Sequence, residues 1–79
     1  MNVDVISLEK TIRLENAKAI LLPGAMGVLE VLDHHAPAVV TLQKGNIKIL
    51  IDQPMNILSF HKGYAHITKE KTTILLEDF

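Results

Sequence analysis

Apolar residues recur along this chain in short runs separated by turn-forming residues, and the dominant spacing is two. Asn2 to Ser7 alternates, with Val3 and Val5 on one side and Asp4 and Ile6 on the other. Lys10 to Leu14 sets Ile12 and Leu14 against Thr11 and Arg13. Ala17 to Leu22 forms a third run, and Pro23-Gly24 predicts a turn after it, since proline fixes φ and glycine admits a positive one. Val28 to Leu32 follows Gly27, His34 to Pro37 reads as a loop because the residue before proline avoids the helical region, and Ala38 to Leu42 follows that. Ile47, Ile49 and Ile51 after the Lys44-Gly45-Asn46 turn make the clearest strand signal. Asp52-Gln53-Pro54 breaks that run. Ile57 to His61 and Tyr64 to Thr68 flank Gly63, where a bend or bulge is expected. Lys69-Glu70-Lys71 predicts a charged hairpin tip before a closing strand, Thr72 to Leu76.

Leu8 to Ala19 can be drawn as an amphipathic helix, but its β-branched spacing and the Glu15-Asn16 turn favour strands. The rhythm as a whole predicts an all-β fold, a two-layer β-sandwich of about 8–10 short, mostly antiparallel strands. It forms a single domain over residues 1–79, with no linker, repeat or low-complexity tract.

Composition sharpens this picture at one point. The apolar share is 48%, high for a domain so small, which should carry proportionally more polar surface. Several strands are also apolar on both sides, as at Leu50 and Leu75, whereas a sandwich needs only its inner faces apolar. Two explanations stand side by side: a docking face for a partner, or a filled core with scattered exposed residues. The chain has no cysteine, so packing or a partner must supply what disulfides give other small domains.

Charge and candidate chemistry exclude more than they suggest. With 8 basic and 9 acidic residues and no basic block, the chain lacks the positive footprint that nucleic acid requires. Its apolar runs are too short to span a bilayer as helices, so no direct membrane insertion is expected. Residues 1–22 show no signal-peptide pattern, which predicts a cytosolic setting. Asp33, His34, His35, His61 and His66 raise the question of a metal site, but they lack a recognisable paired-ligand spacing. The serines Ser7 and Ser59 stand in no nucleophile elbow, and the four glycines form no phosphate-binding loop. The sequence therefore predicts no catalytic residue, no metal site and no cofactor.

The order of small motifs then resembles a known family. MNVDVISLE at Met1 to Glu9, Leu22-Pro23-Gly24, Gly27, His35-Ala36-Pro37, Leu42-Gln43-Lys44-Gly45, Phe60 with Gly63, and the strand Thr73 to Leu76 follow the order of the amino-terminal domain of ATP synthase epsilon subunits. The similarity is collinear over the whole chain. The resemblance implies a short form that lacks the family's carboxy-terminal helical hairpin. It implies a non-catalytic rotor subunit of a proton-translocating F-type ATP synthase, coupling the gamma subunit to the membrane c-ring. It also implies a peripheral position on the cytoplasmic face of a bacterial plasma membrane. By the same resemblance the c-ring contact falls on Gly27, Val28, His35, Ala36 and Pro37, with His35 the foremost, and gamma takes an outer sheet face. The chain departs from the pattern where the family often has an acidic residue at Val28, and glycine at Glu30 and His34. A free-standing all-β interaction module, and a small histidine-rich metal-binding protein, are the competing readings.

Overall fold

A computed structural model describes residues 1–51 and 56–79. The break expected at Asp52-Gln53-Pro54 lies outside the described residues. Nine strands are present among those described: β1 (Asn2–Ile6), β2 (Thr11–Leu14), β3 (Ala19–Gly24), β4 (Gly27–Leu32), β5 (Ala38–Leu42), β6 (Gly45–Leu50), β7 (Asn56–Phe60), β8 (Gly63–Ile67) and β9 (Lys71–Leu76). Leu8 to Ala19 contains strand β2 and no helix.

The strands form one hydrogen-bonded sheet, in the order β2-β1-β9-β8-β5-β3-β6-β7, with β4 paired to β3. It curls so that β2, β1, β9, β8 and β5 face β4, β3, β6 and β7. All pairings are antiparallel except β1 with β9. The two layers meet where β3 touches β5 at a single register pair, Gly24 with Leu42.

Alternation builds the core between them. Val3, Val5, Ala65, Ile67 and Ile74 point in from one layer, and Ile20, Leu22, Val31, Ile47 and Ile49 from the other, all fully buried. Ile12 and Leu14 pack at the margin. Branched residues suit both positions, since they fit the pleat and fill space densely. Asp4, on the opposite side from Val3 and Val5, is nonetheless buried to 8% exposure because Lys71 Nζ lies 2.8 Å from its carboxylate and Arg13 covers it at 3.9 Å.

Two turns differ from expectation. Pro23-Gly24 is the end of β3, and the reversal is made by Ala25-Met26. Proline stands there at the end of the strand, and its carbonyl accepts from Gln43 N–H at 2.8 Å. Gly24 is needed for closeness rather than for φ: a Cβ there would lie 2.7 Å from the Gly27 carbonyl oxygen. The positive φ of the hairpin, 127°, belongs to Gly27. Gly63 opens β8 at a crowded crossing, where a Cβ would meet Leu75 O and Leu76 Cδ2, each at 2.5 Å.

Candidate docking surfaces

The register places the turns at two opposite ends of the curled sheet. The pairs Gly24–Gly27, Gly24–Leu42, Leu42–Gly63 and Gly63–Leu76 run along one end. Ala19–Leu32, Ala38–Ile67 and Ile67–Thr72 run along the other. The residues expected to share one contact are therefore divided. Gly27 and Val28 sit at the first end, on the β3–β4 hairpin. His35, Ala36 and Pro37 sit in the β4–β5 loop at the second, separated by the rise of β4, about 17 Å.

The hairpin tip projects and is held. Met26 is wholly exposed and Val28 is 78% exposed. Ala25 N–H donates to Thr41 O at 2.9 Å, tying the tip to β5. A shallow groove lies between them, lined by Met26, Val28, Leu29, Val39, Val40 and Thr41 with small neighbours from the turn. No residue from Ala19 to Leu29 is charged.

The far loop is organised around its own backbone. His35 is half-buried, donates from Nδ1 to the Ala36 carbonyl at 2.7 Å, and gives its main-chain N–H to Leu32 O at 3.2 Å. The N-terminal ammonium of Met1 donates to Ala17 O at 2.9 Å and lies 3.5 Å from Asp33 Oδ1, which anchors the loop's first residue. His34 takes φ 62°, a left-handed conformation usually left to glycine or asparagine.

The histidines do not converge. His61 precedes β8 and approaches Asp78 at 3.1 Å, while His66 lies near the other end of β8 on its outer side. Among the described residues, no three potential metal ligands gather.

The outer faces of the two layers differ. On the β1-β9-β8-β5 layer, Thr41, Tyr64, Leu75 and Ile6 are successive cross-strand partners, an uncharged row running over four strands. Tyr64 and Leu75 are about half exposed, and Val39 beside them is 74% exposed. On the other layer the equivalent row reads Glu30, Leu21, Lys48, Ile57, and Ser59 donates to Asn46 Oδ1 at 2.8 Å beside it. The first row suits burial against a protein, and the second suits water. Sequence reading did not single out Met26, Val39 or Tyr64 for docking. For Val39 and Tyr64 the signal was bulk at strand positions out of phase with the buried Leu42, Ala65 and Ile67, and for Met26 it was a large apolar residue in a turn.

These features define a small all-β body with an uncharged row on one outer face and a projecting apolar hairpin. The family model of the ATP synthase delta/epsilon chain β-sandwich domain matches residues 1–79, and the chain belongs to that family. The epsilon chain of Granulibacter bethesdensis is 34% identical over 77 residues, covering 96% of this chain and 57% of that protein. The chloroplastic epsilon chain of Phaeodactylum tricornutum is 30% identical over 78 residues, covering 99% and 59%. The chain thus spans a little under three fifths of these relatives. Among solved structures, a chain of the Tetrahymena thermophila mitochondrial ATP synthase central stalk and c-ring superposes with a TM-score of 0.85 at 14% identity, covering 99% of this chain and 63% of that one. A chain of the Euglena gracilis mitochondrial ATP synthase does so with a TM-score of 0.87 at 18% identity, covering 96% and 49%. At these identities the likeness is one of fold.

Proposed function

We propose that this domain is a non-catalytic part of the rotor of a proton-translocating ATP synthase, coupling the gamma subunit to the c-ring. The epsilon chains to which it is similar support this reading, as do the central-stalk and c-ring assemblies that contain its fold. The observation that carries it is the uncharged row Thr41, Tyr64, Leu75 and Ile6 on one outer face. That face is assigned to gamma. Bacterial relatives favour the cytoplasmic face of the plasma membrane, and chloroplastic relatives fit an equivalent peripheral position.

Of the five residues expected at the c-ring, Gly27 and Val28 are proposed to make the contact. Their end offers exposed side chains outward, whereas His35 is engaged with its own loop. With the hairpin end on the ring, His35, Ala36 and Pro37 face away from it. A tagged chain expressed in its native membranes should bring down gamma and c subunits, and a Val28→Cys variant should crosslink to the polar loop of c while His35→Cys does not. Crosslinking from position 35 alone would invert the orientation. Recovery of neither subunit would overturn the rotor assignment.

A further inference from the structure

Residues 77–79 follow β9 at the end of the sandwich that carries the β3–β4 hairpin, and two different turns hold them. Glu77 N–H donates to Lys62 O at 2.9 Å. His61 Nδ1 lies 3.3 and 3.1 Å from the two carboxylate oxygens of Asp78. His61 and Lys62 make the turn between β7 and β8. Phe79 reaches the other way. It packs against the core cluster, and Lys10 Nζ, from the turn between β1 and β2, stands 5.0 Å from its ring centroid. Asp78 also shares a hollow with Lys44 and with Asn46, Ser59 and Phe60 of the facing layer. The segment therefore reaches from one layer to the other.

Each contact is weak alone. The side chains of His61 and Asp78 are 65% and 59% exposed, so water screens their pairing, and a surface cation–ring contact is no stronger. They gain from being consecutive: with Asp78 held, the next residue has less freedom to lose when its ring settles. The other charges of this end are placed differently. Lys62 and Glu77 line a separate hollow beside Tyr64 and Leu75, Glu9 adjoins Lys10 in its turn, and Lys44 is the other basic residue in the hollow of Asp78.

We infer that residues 77–79 form a strap across this end of the sandwich and that the His61–Asp78 contact is its fastener, so that breaking one surface pair frees Phe79 from Lys10 on a different turn. Closed, the strap keeps the ring on the core. Open, it adds an aromatic side chain to an end where Leu8 and Met26 already stand wholly exposed. None of these contacts involves a partner, so the strap is independent of the rotor reading.

The test is NMR on the chain, reading the ring-current shift of the Lys10 side-chain protons, with Phe79→Leu as its zero. The wild-type shift should fall toward that zero in both His61→Ala and Asp78→Asn, although neither changes Lys10 or Phe79. Exchange of the Glu77 amide should quicken roughly 2- to 5-fold in the same variants, the effect of losing one exposed pair. The Thr68 amide, bonded to Lys71 O at the opposite end, should exchange as before and shows that the fold is kept. No ring-current shift in the wild-type chain would overturn the strap, as would a full shift in both variants. Loss of the shift with unchanged Glu77 exchange would leave only a frayed ring and overturn it too. A larger effect from Lys44→Ala than from His61→Ala would overturn His61 as the fastener.

Discussion

Replacing Gly63 with alanine should be among the most damaging single-methyl changes in the domain. The added Cβ would lie 2.5 Å from the Leu75 carbonyl oxygen and 2.5 Å from Leu76 Cδ2, about 0.9 Å short of ordinary contact in both directions. One obstacle is backbone and the other is a core side chain only 5% exposed, so neither yields freely. Relief requires β8 and β9 to part at this end. That strains the bond from Glu77 N–H to Lys62 O, now 2.9 Å, whose loss is worth about 1 kcal/mol. Repacking Leu76 against an overfilled core adds roughly 1–3 kcal/mol. The total, about 2–4 kcal/mol, is a large share of the roughly 4–12 kcal/mol that a domain of this length holds. It corresponds to a fall in Tm of roughly 10–30 °C. Urea unfolding followed by circular dichroism should show a lower midpoint at unchanged slope. Gly45→Ala is the milder comparison, because its Cβ would come no closer than 3.2 Å to the Pro23 side chain and 3.9 Å to Gln43 O. If Gly63→Ala unfolds within about 0.5 kcal/mol of wild type, the crowding at this crossing does not limit stability and the reasoning fails.

Other changes test other contacts. His34→Gly should stabilise by up to about 1 kcal/mol, because the left-handed φ penalty of a side chain outweighs glycine's extra unfolded entropy; a lower urea midpoint would contradict this. Lys71→Ala leaves the Asp4 carboxylate with only Arg13 at 3.9 Å and should cost about 1–3 kcal/mol, much of it restored by Asp4→Asn in the same chain; additive losses in that double-mutant cycle would show no coupling. Ile49→Ala, at the fully buried centre of β6, should cost about 2–5 kcal/mol in the same assay. Tyr64→Glu should remove gamma from a pull-down without lowering Tm, and retained gamma would move its docking face elsewhere.

Strands were legible in this chain because alternation and burial agree. Ile47 and Ile49 alternate and are buried, and Thr72 to Leu76 falls in the last strand of the chain, β9, as its pattern indicates. What misled was local chemistry taken without its partners. Pro23-Gly24 has the composition of a turn, yet the carbonyl of Pro23 and the narrowness of Gly24 serve a strand end beside β5. At Gly63 a bend or bulge was expected, but the bend falls on His61-Lys62 and Gly63 opens β8. The candidate contact was harder to read. Val28 and His35 are neighbours in sequence, but an extended β4 lies between them and carries them to opposite ends. The uncharged row depends on cross-strand register, and no single strand reveals that Thr41, Tyr64, Leu75 and Ile6 line up.

The join between the two layers has a mechanical corollary. Every other neighbouring pair of strands shares at least three register positions, but β3 and β5 share one, Gly24 with Leu42, flanked by the bonds at Ala25 and Gln43. Among the strand-to-strand joins, this seam offers a twisting load between the hairpin and the Tyr64 face the fewest ladder pairs. It is where the folded body would shear first, and the Ala25 and Gln43 amides should trade their hydrogens with solvent earlier than those of β8 or β9.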